Sequence, residues 1–100
     1  MTEEEIRIVR TNLPYIRKIC GLNQEELAEL MDMTRTSLYR LENLKQNCKF
    51  TERTYLILVG TLYTKVYPNL TKFEINLVER CLHEPVLYSK KIMVPIFEES

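Results

Sequence analysis

Glycine occurs only twice in this chain, and no glycine- or serine-rich stretch interrupts it. That scarcity leaves little room for linkers or disorder. One hundred residues suffice for one domain but not for two of ordinary size. No apolar run reaches the roughly 18 residues that would argue for a transmembrane helix, so no membrane span is expected. The opening residues, Met1-Thr2-Glu3-Glu4-Glu5, are acidic where a signal peptide is basic and then apolar, and a cytoplasmic location is the expectation.

Chemistry-bearing residues are equally sparse. The three cysteines, Cys20, Cys48 and Cys81, cannot all pair and form no C-x-x-C, so reduced and mostly buried thiols are expected. His83 is the only histidine, placed near the end of a helix where an imidazole suits the carbonyl dipole. No Ser/His/Asp set, phosphate loop or metal-ligand spacing is present. The expectation is therefore no catalytic residue, no metal and no cofactor. Net charge is missing too: 14 basic side chains cancel 14 acidic ones. Any nucleic-acid contact must come from a local patch rather than bulk charge.

What the chain does have is a 45% apolar content and unusually legible helix starts. An N-cap side chain accepts hydrogen bonds from the first free backbone N–H groups, while flanking apolar residues clasp across the cap. Asn23, between Leu22 and Leu27 with Glu26 three residues on, fits that layout. Thr34 repeats it between Met33 and Leu38, and Thr51 between Phe50 and Tyr55. Thr71 adds a full T-x-x-E box between Leu70 and Ile75, and Thr2 conforms with Glu5 and Ile6. Five such starts predict five helices and an all-α fold.

The apolar periods agree with the caps. Ile6, Val9, Leu13, Ile16 and Cys20 form one face of a first helix, although Pro14 predicts a kink or break near Asn12. Gly21 supplies the left-handed residue that ends it. Leu27, Leu30 and Met31 mark a short second helix, and Leu38 and Leu41 a third. From Tyr55 to Tyr67 the chain is apolar nearly all round, which predicts a helix buried on more than one side, stopped by Pro68. Phe73, Leu77, Val78, Cys81 and Leu82 outline a fifth helix ending before Pro85. Beyond it, Val86-Leu87-Tyr88 and Ile92-Met93-Val94 read as short strands, a hairpin or an extended arm, with Pro95 confining the second segment to an edge. The division expected is residues 1–68 as one unit. Residues 69–100 form a C-terminal helix and tail that either pack on it or dimerise.

Two short helices, Gln24–Met31 and Arg35–Asn43, are separated by only Asp32-Met33-Thr34. So short a connection makes the pair cross steeply, the geometry of helix-turn-helix DNA readers. The stretch Leu22-Asn23-Gln24-Glu25-Glu26-Leu27-Ala28-Glu29-Leu30-Met31, followed by Thr34-Arg35-Thr36-Ser37-Leu38-Tyr39-Arg40-Leu41-Glu42-Asn43, resembles the lambda-repressor-like, Cro/XRE-type helix-turn-helix family. The resemblance runs from about Ile16 to Lys45, with a looser fit through the helix beginning at Thr51. It does not extend over residues 69–100. Ala28 is small where the crossing helices must touch. Two departures are plain: the family's turn glycine is Asp32 here, and the glycine after its third helix is Leu44.

The resemblance implies a five-helix DNA-binding domain in which Arg17 and Glu42 form a partly buried ion pair. It implies base contacts from Arg35, Thr36, Tyr39 and Arg40, and phosphate contacts from Asn23, Gln24, Thr34, Ser37, Asn43 and Lys45. Residue chemistry agrees: an arginine fork matches guanine O6 and N7, and a threonine methyl can meet a thymine methyl. Glu25, Glu26 and Glu29 read as a solvated acidic face turned away from DNA. The implied partners are double-stranded DNA and a second copy in a homodimer matched to a palindromic operator. The function implied is a transcriptional regulator. A different reading keeps the fold but makes the chain an antitoxin-like or adaptor module holding another protein, through its C-terminal region.

Overall fold

The computed structural model describes residues 2–43, 49–87 and 96–97. Five α-helices make up most of it: α1 (Glu3–Ile19), α2 (Gln24–Leu30), α3 (Arg35–Glu42), α4 (Glu52–Thr61) and α5 (Lys72–His83). All five expected caps are in place. Thr2, Asn23, Thr34, Thr51 and Thr71 each have extended backbone and accept from the amide three residues on. At Asn23 and Thr71 the glutamate returns the bond, closing two reciprocal capping boxes.

Gly21 has φ 71°. The Leu22 amide reaches back to the Arg17 carbonyl at 3.1 Å and the Gly21 amide to Lys18 at 3.0 Å, a Schellman ending. α1 nonetheless does not break at Pro14. It runs as one helix from Glu3 to Ile19, so the break expected near Asn12 does not occur. The reason is packing. An interior proline costs about 3 kcal/mol, but Val9, Leu13 and Ile16 are fully buried on one face, and each contributes about 1.5–3 kcal/mol by leaving water.

α1 is the element to which the others attach: α3, α4 and α5 all pack on it. Leu27, Ala28 and Met31 of the α2 region, Leu38 and Leu41 of α3, and Leu58 and Leu62 join its buried face to make one core. Val78, Cys81 and Leu82 of α5 belong to the same core. The α4 expectation needs correction, because only one side is covered. Leu58 and Leu62 are fully buried while Leu56 is 58% exposed and Ile57 is exposed as well. Past Thr61 the chain widens into a π turn, Leu62–Val66, in which the Tyr67 amide reaches Leu62, then tightens through the 3₁₀ turn Tyr67–Asn69 that contains Pro68. The Tyr63 and Tyr67 hydroxyls both donate to Glu79 Oε1, at 2.8 and 3.0 Å, tying this turn to α5.

Phe73, placed by its spacing on the buried face of the fifth helix, is 72% exposed. Ile75 explains this: it packs on the core with Leu70 across the Thr71 cap, and two residues back along a helix lies nearly the opposite face. In the tail, Val86–Leu87 (β1) pairs antiparallel with Ile96–Phe97 (β2), Val86 opposite Phe97. The expected second segment, Ile92-Met93-Val94, lies outside the described residues. Among the described residues, no helix is long and apolar enough to cross a membrane.

Candidate nucleic-acid interface

α2 and α3 are separate helices packed on each other, and the join between them is a second Schellman ending. Asp32 takes φ 56° where the resemblance leads one to expect glycine. The Met33 amide bonds the Ala28 carbonyl at 2.9 Å and the Asp32 amide bonds Glu29 at 3.1 Å. Asp is one of the few L-residues that visits this backbone region readily, so the turn forms without glycine. The other departure, Leu44, lies outside the described residues. Ala28 is buried between the two helices, as its size requires.

The far end of α3 is held by two arginines from α1. Arg17 forks onto Glu42, Nε to Oε2 at 2.8 Å and Nη2 to Oε1 at 3.1 Å, with side-chain exposures of 14% and 4%. The same guanidinium also donates to the Leu22 carbonyl at 3.0 Å, so the pair is saturated rather than merely adjacent. Arg10 donates through Nε to the Leu41 carbonyl at 3.3 Å, satisfying one of the acceptors a helix end leaves open. The ion pair was expected from the resemblance; the Arg10 contact was not. Its signal was there to read, since residues 10 and 17 are seven apart and so share a face of α1.

Held this way, α3 turns Leu38 and Leu41 inward and leaves Arg35, Thr36, Tyr39 and Arg40 exposed. Four-residue spacing lays them out as two rows, Arg35 with Tyr39 and Thr36 with Arg40. Neither Arg35 nor Arg40 has an ion pair or hydrogen bond among the described residues, whereas Arg7, Arg17 and Arg80 each sit on a carboxylate. A hollow of about 150 Å³ lies between Arg35, Thr36 and Tyr39. On its other side Arg35 borders a wider groove of about 550 Å³, shared with Glu25, Glu29 and Asp32. Carboxylates therefore flank one side of the exposed α3 row and are absent from the lining of the other hollow.

The residues expected to meet phosphates are more committed to the fold. Asn23 commits its Oδ1 and its backbone amide to the capping box. Gln24 is half-buried and its Nε2 donates to Glu42 Oε1 at 3.3 Å, joining the ion pair. The Thr34 hydroxyl accepts from the Ser37 amide at 3.1 Å and donates to the Ser37 hydroxyl at 2.9 Å. Asn43 donates through Nδ2 to the Tyr39 carbonyl at 2.8 Å. Lys45 lies outside the described residues.

A comparison with known families places a helix-turn-helix match on residues 15–48, the span from the middle of α1 through α3 and just beyond. No curated protein and no solved structure matches the chain. With two helices broken at a left-handed turn, a forked ion pair under the second, and arginines exposed on its outer face, residues 15–48 belong to the lambda-repressor-like, Cro/C1-type helix-turn-helix family of DNA-binding segments.

Proposed function

We propose that this chain is a sequence-specific transcriptional regulator that works in the cytoplasm as a homodimer and reads an operator half-site with α3. One observation carries the reading. In a protein of zero net charge, α3 keeps two arginines exposed and clear of every described carboxylate by ion-pair distance. Arg35, Thr36, Tyr39 and Arg40 are assigned to base edges. Asn23, Gln24, Thr34, Ser37, Asn43 and Lys45 are assigned to phosphates, where they set register and affinity rather than sequence. Residues 1–68 carry the reading; α5 packs on α1, and the C-terminal region, residues 69–100, is assigned to a partner.

Selection of bound duplexes from a random pool tests this. A palindrome with half-sites about one helical turn apart supports a dimeric reader. Affinity should also fall steeply with salt, since each neutralised phosphate releases counterions. The exposed Leu56 and Ile57 of α4 favour a second reading, an adaptor that chiefly holds another protein. No enriched duplex, together with salt-independent association with a co-purifying partner, would replace the first reading with that one.

A further inference from the structure

Gly60 is a glycine that nothing in the described fold requires. It lies exposed inside α4, where glycine destabilises a helix relative to alanine. Its φ is not in the left-handed region, and a methyl group there would meet no described atom within 4 Å. Leu56, Gly60 and Thr64 follow at four-residue steps with Ile57 alongside, so they share one face of α4 and the turn continuing it. All four are exposed. Drying this face costs little at its centre, because the Thr64 hydroxyl already donates to the Gly60 carbonyl at 2.7 Å. An apolar face notched by glycine fits a second helix, since the side chains at a crossing set how closely two helix axes approach.

Charge distinguishes a second copy from an unrelated protein. Arg53, exposed at one end of the face, has no ion pair among the described residues. At the other end Tyr63 and Tyr67 hold the Glu79 carboxylate, which has no cation at ion-pair distance among those residues either. Arg53 stands seven residues before Gly60, and Tyr67 seven after it. A two-fold axis at Gly60 with the helices antiparallel therefore brings each Arg53 to the opposite copy's Tyr67 end. A parallel crossing would set Arg53 against Arg53. We propose that α4 forms the homodimer contact, two copies crossing antiparallel with Gly60 against Gly60 and Arg53 of each copy facing Glu79 of the other. The inference rests on the homodimer proposed above and gives that dimer its surface.

Sedimentation equilibrium of the full chain reads the dimer dissociation constant. Gly60→Ala should raise that constant about tenfold or more, because both copies overpack the crossing. The same change should raise the melting temperature where the chain is dilute enough to be monomeric, alanine being the better helix former. Leu56→Asn should weaken the dimer and leave the fold intact. Arg53→Glu should weaken it about three- to tenfold through the loss of two exposed pairs. On a Glu79→Gln background, which keeps an acceptor for both tyrosines, that penalty should shrink. A dimer indifferent to Gly60→Ala and Leu56→Asn assembles through another surface, which overturns this contact and leaves the homodimer standing. A monomer destabilised by Gly60→Ala overturns it too, since the glycine would then serve the chain's own fold. Equal Arg53→Glu penalties with and without Glu79→Gln overturn the antiparallel arrangement. A chain that stays monomeric at every concentration overturns both the contact and the homodimer, and leaves α4 to a different protein.

Discussion

Asn12 reaches across the core to Glu84: its Nδ2 donates to the Glu84 carbonyl at 2.7 Å and to the Cys81 carbonyl at 2.8 Å. Asn12 is wholly buried in α1, and Cys81 supplies one of the carbonyls that the end of α5 leaves without a helical partner. One amide thus fixes where α5 ends and where the chain departs toward β1. Asn12→Leu keeps the volume but strands both acceptors. Each buried group left unsatisfied costs about 1–3 kcal/mol, so a loss of about 2–4 kcal/mol is expected in urea unfolding. A loss below about 1 kcal/mol would show that water takes over both carbonyls.

Local signals were the legible part of this fold. All five caps could be placed because an N-cap depends on a handful of neighbouring residues, and Thr34 or Asn23 carries that information whatever packs above it. Signals that depend on a distant partner were not legible. Pro14 looked like a break because the buried stripe opposing it acts through α3, α4 and α5. Leu56 and Ile57 looked buried because apolarity reveals a preference and not whether a neighbour exists to satisfy it. The exposed row on α3 was legible because the inward positions Leu38 and Leu41 dictate which residues point out. Asn12 as a bridge to α5 was invisible, since its acceptors are backbone carbonyls about seventy residues away.

The Arg17–Glu42 pair should be costly to halve and cheaper to remove whole. Among the described residues, Arg17→Met leaves the Glu42 carboxylate, 4% exposed, with the Gln24 amide as its one remaining side-chain partner. Breaking one partner of a buried pair costs about 3–5 kcal/mol. The double variant Arg17→Met/Glu42→Leu removes the stranded charge and should recover a good part of that loss. Thermal unfolding of both single variants and the double variant decides it; strict additivity would mean the two groups do not stabilise one another.

Asp32 should be improvable. An L-residue held at positive φ costs about 1–2 kcal/mol, offset partly by the greater freedom glycine surrenders on folding, about 0.5–1 kcal/mol. Asp32 also places a carboxylate at the negative end of α2. Asp32→Gly is therefore expected to stabilise the chain by up to about 1 kcal/mol. A lowered melting temperature would mean the aspartate makes a compensating contact in the turn.

Alkaline pH should weaken this fold through its thiols. Burial pushes Cys20 up to about 11, with the Glu74 carboxylate adding to the shift. Burial likewise pushes Cys81 up to about 12, against the opposing pull of the Arg80 guanidinium. Unfolding would return both to the ordinary value of 9.0. In that range the folded chain holds protons that the unfolded chain has released, so stability falls as pH rises. The decline should begin near pH 9 and continue until the folded thiols ionise at about 11 and about 12. Tyr67, raised chiefly by burial and next by the Glu79 carboxylate, adds to the loss at the upper end. The comparison that isolates the thiol is Cys81→Ala. Its urea midpoint should be lower at neutral pH, because a buried group has been truncated, but should decline less steeply above pH 9. Parallel declines in the two proteins would show that the Cys81 thiol keeps its ordinary ionisation in the folded state, and that its proton has no part in alkaline unfolding.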